Sequence, residues 1–380
     1  MTTPLTAPLT PEATALRVHG ETIIYRLFDV GYAIGLDQAC ELLSSNAPER
    51  LRPVRGEAQA IQIPNPPVTV GLGNEAITTG GVRHEAELSA RIFDFGVVSL
   101  RARIVAPSGV SWSQFAAHNA DASSLTSWAE LLTAALEPLL ARMAPAIQRA
   151  GRAPVTEDYV VFRVNRLEDA AGVTVSPECL PDEDIAQLLL GERRKLSSAA
   201  RRELLSQCFT YFEDDLAVLA WGSALVVEPV AEDTDVQYVL EFANAQLLEL
   251  RFYDAVLDGE LPEIYTRIAE ARQGFHLLGL RYGRLLADLH TRVADATELV
   301  ERVENSLKVT DDVFLARIYA GALELFRGRT WRSGIERKVT IVRETYDMLN
   351  AESQSRRAEV LEIIIVVLIM VELAVSLLRR

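Results

Sequence analysis

The sequence predicts an α+β protein, in which a mixed sheet with interleaved helices precedes an all-helical, coiled-coil-like C-terminal part that ends in a transmembrane helix. Three observations support this fold class. Runs of β-branched and aromatic residues alternate with helical patterns up to residue 229. Apolar residues at helical spacing dominate from residue 230 onward. The final stretch, residues 363–378, is apolar on every side of a helix.

The composition is that of a globular protein, with 49% hydrophobic and 24% charged residues in a chain of 380. This length exceeds that of one typical domain, so we expect two folded units with appendages. The formal net charge of −15 disfavours nucleic acid as a direct partner, because phosphate groups repel an acidic surface. The three cysteines form no disulfide framework and no zinc motif, and no cofactor is indicated.

Residues 21–229 are predicted to form the mixed α/β body, after a flexible N-terminus of residues 1–20. Strand-forming residues cluster in the stretches 21–36, 58–63, 68–72, 87–105 and 158–164. Asp37 is expected to cap a short helix that ends at Leu43. Further helices are predicted at 125–147, 184–190 and 197–207, and they are followed by an apolar block at 209–227.

Residues 230–357 are predicted to form a helical bundle or coiled-coil stalk. Its first helix carries a single apolar stripe and is expected to end near Gly259, and a second helix is expected to start around Pro262. The stripe consists of Val236, Leu240, Ala243, Leu247 and Leu250.

Two heptad seams are the clearest periodic features of this region, because their apolar residues are separated alternately by four and three positions. The first seam consists of Tyr282, Leu286, Leu289, Val293, Ala296, Val300, Val303 and Leu307. The second follows a helix at about residues 313–326 and consists of Ile335, Val339, Val342, Tyr346 and Leu349. Such seams pair within one chain, as a bundle, or between chains, as a coiled coil. The C-terminal anchor favours self-association, so we predict a homo-oligomer.

Residues 358–380 are predicted to be a single-pass membrane anchor. The sixteen residues 363–378 contain one charged side chain, that of Glu372, and span roughly 24 Å as a helix, at about 1.5 Å per residue. Because the hydrocarbon core is about 30 Å thick, flanking residues must extend the span. The alternative is a buried core helix of a soluble domain. The predicted anchor residues are Ile363, Ile364, Ile365, Val366, Val367, Leu368, Ile369, Met370, Val371, Glu372, Leu373, Arg379 and Arg380.

The anchor has two further implications. A carboxylate in lipid is costly, so Glu372 is expected to be protonated or to face a partner helix. We expect almost nothing on the far side of the membrane, because two residues follow the apolar run, and this is the orientation of a tail anchor. Residues 1–20 show no signal-peptide pattern. We therefore expect a membrane protein with its N-terminal body in the cytoplasm.

No catalytic site is recognisable in the sequence. The triplet at residues 94–96 spells the Asp-Phe-Gly of protein kinases, but the glycine-rich loop and the catalytic-loop pattern are missing. A similar Phe-Asp-x-Gly string occurs at residues 28–31, and we interpret the two strings as equivalent strand bends in which glycine permits a bulge. The five histidines never stand at a metal-ligand spacing.

An acidic cluster is the strongest candidate for a divalent-cation site, and hence for an enzyme. It consists of Glu213, Asp214 and Asp215, which lie between two apolar runs. A polar hairpin turn is the favoured interpretation, because such turns are commonly rich in aspartate.

Two C-terminal stretches resemble the family named for proteins required for meiotic nuclear division. The first is residues 240–250 with the following Tyr253 and Asp254, and the second is residues 335–350 with the closing hydrophobic helix after Leu361 and Glu362. The resemblance is clearest over residues 209–380. It implies an α/β body, a helical C-terminal part, a membrane anchor and self-association, and it offers no catalytic residue. Ile363 stands where that family usually has an aromatic residue.

The sequence therefore predicts a tail-anchored, self-associating membrane interaction or scaffold protein. Its expected partners are the lipid bilayer, further copies of the chain and an unidentified protein. The alternative is an enzyme with a cation site at residues 213–215.

Overall fold

The structure is a computed structural model that describes most of the chain. The described residues are 16–46, 48–50, 65–79, 82–122, 125–151, 155–191, 194–229, 235–273 and 312–378, with the single helical positions 287, 291, 294, 297 and 298. Several predictions lie outside them: the strand at 58–63, the first heptad seam (Tyr282 to Leu307), most of the flexible N-terminus, Arg379 and Arg380.

Strands and helices alternate along the first part of the chain. The strands are β1 (Arg17–Asp29), β2 (Gly31–Ile34), β3 (Glu49–Arg50), β4 (Val68–Thr79), β5 (Val82–Ile92), β6 (Val97–Val105), β7 (Val110–Ser111), β8 (Ile147–Ala150), β9 (Thr156–Glu168), β10 (Cys208–Phe209), β11 (Leu216–Leu219) and β12 (Ser223–Val227). The helices are α1 (Leu36–Leu42), α2 (Trp112–Ala122), α3 (Leu125–Met143), α4 (Asp182–Leu190), α5 (Ser198–Leu204), α6 (Asp235–Gln273), α7 (Val313–Leu325) and α8 (Gly328–Leu378).

Ten of the described strands form one sheet in the order β10-β11-β12-β9-β1-β6-β5-β4-β3, with β7 also paired to β1. The parallel pair is β12 with β9, and the remaining pairs are antiparallel. Strand β1 is central, because it pairs along its length with both β6 and β9. Strands β2 and β8 form a separate antiparallel pair. The predicted mixed sheet with interleaved helices is confirmed.

One face of the sheet carries the main hydrophobic core, against helices that include α2 and α3. Ile24 and Phe28 of β1 and Leu100 of β6 belong to this core. Trp128 and Leu132 of α3 are fully buried against the same cluster. Because alternate residues of a strand point to the same face, the even-numbered positions of β1 and β6 supply this layer.

The opposite face is covered by α6 and α7. The ring of Tyr159 in β9 lies 5.7 Å from that of Phe326, at the C-terminal end of α7. The ring of Phe242 in α6 lies 6.0 Å from that of Phe93, just after β5. The sheet is therefore buried on both faces near β1, which agrees with the unbroken burial of residues 21–25.

Three local predictions differ from the structure. The stretch 87–105 is the second half of β5, a turn and β6, because Asp94 and Gly96 bend the chain within an apolar run. Asp37 lies in the first turn of α1, where its charge suits the helix dipole, and Gly35 is the capping residue. Helix α6 continues through Gly259 and Pro262, because an internal proline removes a single backbone hydrogen bond from a helix of 39 residues.

The chain divides into two compact units. The first comprises Met1–Phe252 and Ser306–Arg329, and the second comprises Tyr253–Asn305 and Thr330–Arg380. Helix α6 contributes its residues up to Phe252 to the first unit. In the second unit, the Lys338 ammonium of α8 lies 2.7 Å from a carboxylate oxygen of Asp254 and 2.7 Å from one of Asp258. The C-terminal part is helical over its described residues, as predicted.

Over the part of the chain that the structure describes, no helix combines the length and the apolar character needed to cross a membrane. That the C-terminal end of α8 spans a membrane stays a prediction from the sequence.

Candidate functional site

The two Phe-Asp-x-Gly strings of the sequence meet in space. One joins β1 to β2, and the other forms the turn between β5 and β6. The amide of Val30 donates a hydrogen bond of 3.0 Å to the carbonyl oxygen of Gly96. A Cβ atom on Gly96 would lie 1.7 Å from the carbonyl oxygen of Gly31, and the φ angle of Gly96 is +93°. Glycine is therefore required at position 96. We call this contact between Gly31 and Gly96 the glycine crossing.

The first half of α6 is buried on every side. Each residue from Val236 to Leu250 is buried, including all five of the predicted apolar stripe. An unsatisfied buried polar group costs about 1–3 kcal/mol, so the partners of the buried polar side chains define where this helix is held. Those side chains are Gln237, Glu241, Asn244, Gln246 and Glu249, and we call them the buried polar residues of α6.

The first charged contact of these buried polar residues joins Glu241 to Arg91 of β5. The Arg91 guanidinium donates a hydrogen bond to the Glu241 carboxylate, and the two side chains are 6% and 0% exposed. Arg91 also lies over the ring of Tyr238, 5.3 Å from its centroid. Burial raises the pKa of the Tyr238 hydroxyl well above its ordinary value, so this hydroxyl stays protonated. A charge pair buried this deeply is costly to separate.

The second contact joins Glu249 to Asp29, the last residue of β1. Both residues are 4% exposed, and their side chains are hydrogen-bonded to each other. Asp29 Oδ1 also accepts a hydrogen bond of 3.2 Å from the amide of Gly31, in the glycine crossing. Burial raises the pKa of Asp29 from its ordinary 3.8 to about 7.

The third contact lies two residues further along the chain, where Arg251 donates a hydrogen bond to Glu157 of β9. Next to it, Arg26 makes a two-oxygen contact with Asp158, at 3.0 and 2.9 Å. Burial raises the pKa of both Glu157 and Asp158, against the lowering effect of the neighbouring arginines. Helix α6 thus makes one charged contact with each of β5, β1 and β9.

Aromatic and neutral polar contacts complete this site. The hydroxyl of Tyr319 in α7 donates a hydrogen bond to the side-chain oxygen of Gln246. The ring of Phe242 lies 6.0 Å from those of Phe93 and Phe95, on either side of Asp94. The chemistry that this arrangement supports is ion pairing and proton binding. In the described part of the chain, no three histidine, cysteine or acidic side chains are placed to hold a metal ion.

The acidic cluster at residues 213–215 forms a turn. The two carboxylate oxygens of Asp215 accept hydrogen bonds from the amides of Tyr211 and Phe212, at 2.7 and 3.0 Å. Asp215 is buried, whereas Glu213 and Asp214 are exposed. The carboxylate of Asp215 is therefore engaged with its own loop, which favours the polar-turn interpretation.

The C-terminal end of α8 is a second candidate site, of a different kind. Each described side chain from Ile364 to Val375 is exposed, and the apolar ones range from 48% for Ile364 to 65% for Met370. Because a helix turns once in 3.6 residues, this exposure surrounds the helix on all sides. We call residues 364–375 the apolar end of α8. Glu372 lies within it and is also exposed.

The second heptad seam is described in part. Ile335, Val339 and Val342 are buried in the single chain, at 0%, 8% and 2% exposure. The side chains of its other two residues, Tyr346 and Leu349, lie outside the described set. The same holds for Ile363, the first of the predicted anchor residues. Burial of the first three agrees with the alternative in which this seam packs within one chain.

The charged contacts of α6 were not anticipated from the sequence. Arg91 and Glu241 are 150 positions apart, so no local pattern links them. One signal was present: residues 236–250 carry large apolar side chains on several sides of the helix, which is typical of a helix buried all round. Polar residues within such a helix indicate buried partners.

Comparison with known proteins gives a family and one relative. A sequence model described as "Uncharacterized protein MJ0711, N-terminal domain" matches residues 19–234. Uncharacterized protein MJ0711 from Methanocaldococcus jannaschii is 23% identical over 193 residues, which are 51% of this chain and 58% of the relative. The chain thus spans a little over half the length of that relative. No solved structure gives a significant match.

Proposed function

The chain belongs to the family described as "Uncharacterized protein MJ0711, N-terminal domain", and from this starting point we propose that it is a membrane-attached, self-associating interaction protein. The apolar end of α8 is the attachment segment, inserted as a single span, and the sheet-containing body lies in the cytoplasm. The body presents surfaces to a protein partner, and no catalytic step is assigned to it.

The observation that carries this proposal is the exposure of the apolar end of α8. Ten of its large apolar side chains are 48–65% exposed in the single chain. Covering a half-exposed side chain of this size is worth roughly 1 kcal/mol, so covering all ten is worth about 10 kcal/mol. An apolar surface of this extent is typical of segments that are covered by lipid or by a partner.

Self-association follows from the length and the charge of this segment. The apolar run of residues 363–378 is short for the hydrocarbon core, and short spans are commonly stabilised by oligomerisation. Glu372 would be costly against acyl chains but could pair with a second copy of the helix. The resemblance to the meiotic nuclear division family points to the same two properties.

Membrane attachment is tested by fractionating cells that express the full chain and washing the membranes with high salt and then carbonate. The double variant Ile365→Lys/Leu368→Lys is expected to move to the soluble fraction. Met348→Lys is the matched control, because Met348 is a 48% exposed apolar residue of the same helix outside the apolar end. The control should stay with the membranes. Release of the wild-type chain by the wash would refute the inserted span.

Self-association is tested separately, by measuring the mass of the detergent-solubilised complex. Glu372→Leu is expected to reduce the number of copies in that complex. Glu362→Leu is the matched control, since Glu362 is an exposed glutamate of α8 that precedes the apolar end. An equal mass for wild type and Glu372→Leu would remove Glu372 from the association, and a monomeric wild type would remove self-association altogether.

A further inference from the structure

The loop between β10 and β11 presents two aromatic side chains to solvent. Tyr211 and Phe212 are each 66% exposed, and their ring centroids lie 4.7 Å apart with the ring planes at 89°. Val313, the first residue of α7, is 74% exposed. The ring of Phe314, which follows Val313, lies 5.5 Å from that of Tyr211, so the two segments are neighbours. We call Tyr211, Phe212, Val313 and Phe314 the aromatic patch.

The loop that carries the aromatic patch is held in place by hydrogen bonds. The two carboxylate oxygens of Asp215, which is 8% exposed, accept hydrogen bonds from the amides of Tyr211 and Phe212, at 2.7 and 3.0 Å. The carbonyl oxygen of Glu213 accepts a hydrogen bond of 2.7 Å from the hydroxyl of Ser176. The backbone is therefore fixed while the two rings stay exposed. Such preorganisation lowers the entropy cost of binding a partner.

Carboxylates border the aromatic patch on both of its segments. Glu213 and Asp214 directly follow Phe212 in the loop, and both are exposed. Asp312 directly precedes Val313, and its carboxylate caps α7. The faces of aromatic rings also carry partial negative charge. The patch is therefore suited to a cationic group with apolar surface, and it would repel an acidic one.

A contact between a cation and an aromatic ring already exists beside the patch. The guanidinium of Arg317, one helical turn after Val313, lies 5.8 Å from the centroid of the Phe209 ring. A guanidinium is planar and weakly hydrated, so it stacks on aromatic faces and pairs with carboxylates at the same time. A lysine ammonium is compact and strongly hydrated, and it does so less well. Arginine is thus the cationic side chain that best fits rings and carboxylates together.

We propose that the aromatic patch binds an arginine-containing segment of a protein partner. The guanidinium of that segment lies over the ring of Tyr211 or Phe212. The same group pairs with the carboxylate of Glu213 or Asp214, while a neighbouring apolar side chain covers Val313. The net charge of −15 favours the approach of a basic partner. This inference rests on the proposed function, in which the body presents surfaces to a protein partner, and it specifies one of those surfaces.

The experiment selects peptides from a random library displayed on phage for binding to the full chain in detergent. Peptides that also bind the double variant Tyr211→Ala/Phe212→Ala are removed by counter-selection. The remaining peptides are expected to share an arginine next to a large apolar residue. A remaining set that is acidic or lacks arginine would overturn the proposal, and so would the absence of any remaining peptide.

The affinity of one selected peptide, measured by fluorescence anisotropy, then tests single residues. Tyr211→Ala is expected to weaken binding by about tenfold, and Asp214→Asn by about threefold. The matched controls are Trp221→Ala, a 54% exposed aromatic residue beyond the other end of β11, and Glu130→Gln, an exposed glutamate of α3. Both controls should bind like wild type. Equal weakening by a variant and its control would indicate attraction to the acidic chain as a whole and would overturn the proposal.

Two further measurements separate this proposal from other occupants of the patch. The double variant should form a detergent-solubilised complex of the same mass as wild type and should stay with the membranes on fractionation. A lower mass would assign the patch to contacts between copies, and release from the membranes would assign it to lipid; either result would overturn the proposal. Release of the wild-type chain by the membrane wash would refute the inserted span and leave peptide binding unchanged, so the two failures are distinguishable.

Thermal unfolding establishes that each variant is folded. The replaced side chains are exposed, so the unfolding temperature of each variant should equal that of wild type. If Tyr211→Ala or the double variant does not fold, Val313→Ser takes its place in the selection and in the affinity measurement, with the same expected loss of binding. A selected peptide that binds Val313→Ser as tightly as wild type would then overturn the proposal.

Discussion

The backbones of Gly31 and Gly96 touch where two Phe-Asp-x-Gly strings cross, and α6 packs over that contact. The Gly31 carbonyl oxygen occupies the space in which a side chain at position 96 would begin. Asp29, two residues before Gly31, binds α6 through Glu249, and Phe95, next to Gly96, contacts Phe242 of the same helix. The backbone contact between Gly31 and Gly96 therefore positions two residues, Asp29 and Phe95, that contact α6.

Gly96→Ala is expected to destabilise the chain by more than 3 kcal/mol or to prevent folding, because the new Cβ atom would overlap the Gly31 carbonyl in addition to the strain at positive φ. The measurement is urea unfolding. Gly73→Ala is the matched control: its φ of +97° is similar, but nothing lies within 4 Å of its Cβ position. That change should cost about 1–2 kcal/mol. If both variants lost the same free energy of unfolding, the close contact at the glycine crossing would not contribute to stability.

Glu241→Gln is expected to destabilise the chain by about 3–5 kcal/mol, because it removes the negative charge of Glu241 from its buried ion pair with Arg91. The double variant Arg91→Met/Glu241→Met should recover a large part of this loss, since it buries no charge. Glu85→Gln breaks an exposed pair with Arg83, at 4.0 Å, and should have no measurable effect. A loss from Glu241→Gln as small as that from Glu85→Gln would argue against a buried pair.

Tyr159→Phe is expected to cost about 1–3 kcal/mol. The Tyr159 hydroxyl contacts two buried carbonyl oxygens, those of Ala220 at 3.1 Å and Ser223 at 2.9 Å, and the substitution removes this donor. Thermal unfolding would measure the loss. Tyr211→Phe serves as the control, because Tyr211 is 66% exposed. If the two variants unfold at the same temperature, the hydrogen bonds of Tyr159 do not stabilise the β11–β12 turn.

Removal of divalent cations is expected to leave the unfolding temperature unchanged, because the Asp215 carboxylate is already bound by two backbone amides. The measurement compares samples dialysed with and without a chelator. Metal that survives this treatment in wild type and is lost in Asp214→Asn would instead support the enzyme alternative.

The fold class could be predicted because its signals are local. Apolar periodicity places α3, α4 and the buried stripe of α6, and β-branched residues mark β1, β4 and β9. The sequence pattern does not predict helix α2, since the segment beginning at Trp112 has few large apolar residues. The hairpin of β5 and β6 resembles one continuous strand in the sequence, because its turn contains the apolar residues Phe93 and Phe95.

The candidate site could be predicted only in fragments. The two Phe-Asp-x-Gly strings were visible, and so was their role as bends. Their meeting in space depends on the pairing of β1 with β6, which spacing along the chain does not reveal. The partners of Glu241 and Glu249 depend on which strands α6 crosses. The apolar end of α8 can be recognised from the sequence alone, because a run of apolar residues needs no knowledge of the fold to be identified.

The position of α6 in the chain has a consequence for the order in which the protein is made. The family match ends at residue 234, and α6 begins at Asp235. A ribosome therefore synthesises the matched region, which contains Arg91 and Asp29, before the helix that covers them. Until then the sheet carries the charged side chains that α6 contacts, Arg91, Asp29 and Glu157, without their partners on that helix. Closure of the first unit is thus a late event in biosynthesis.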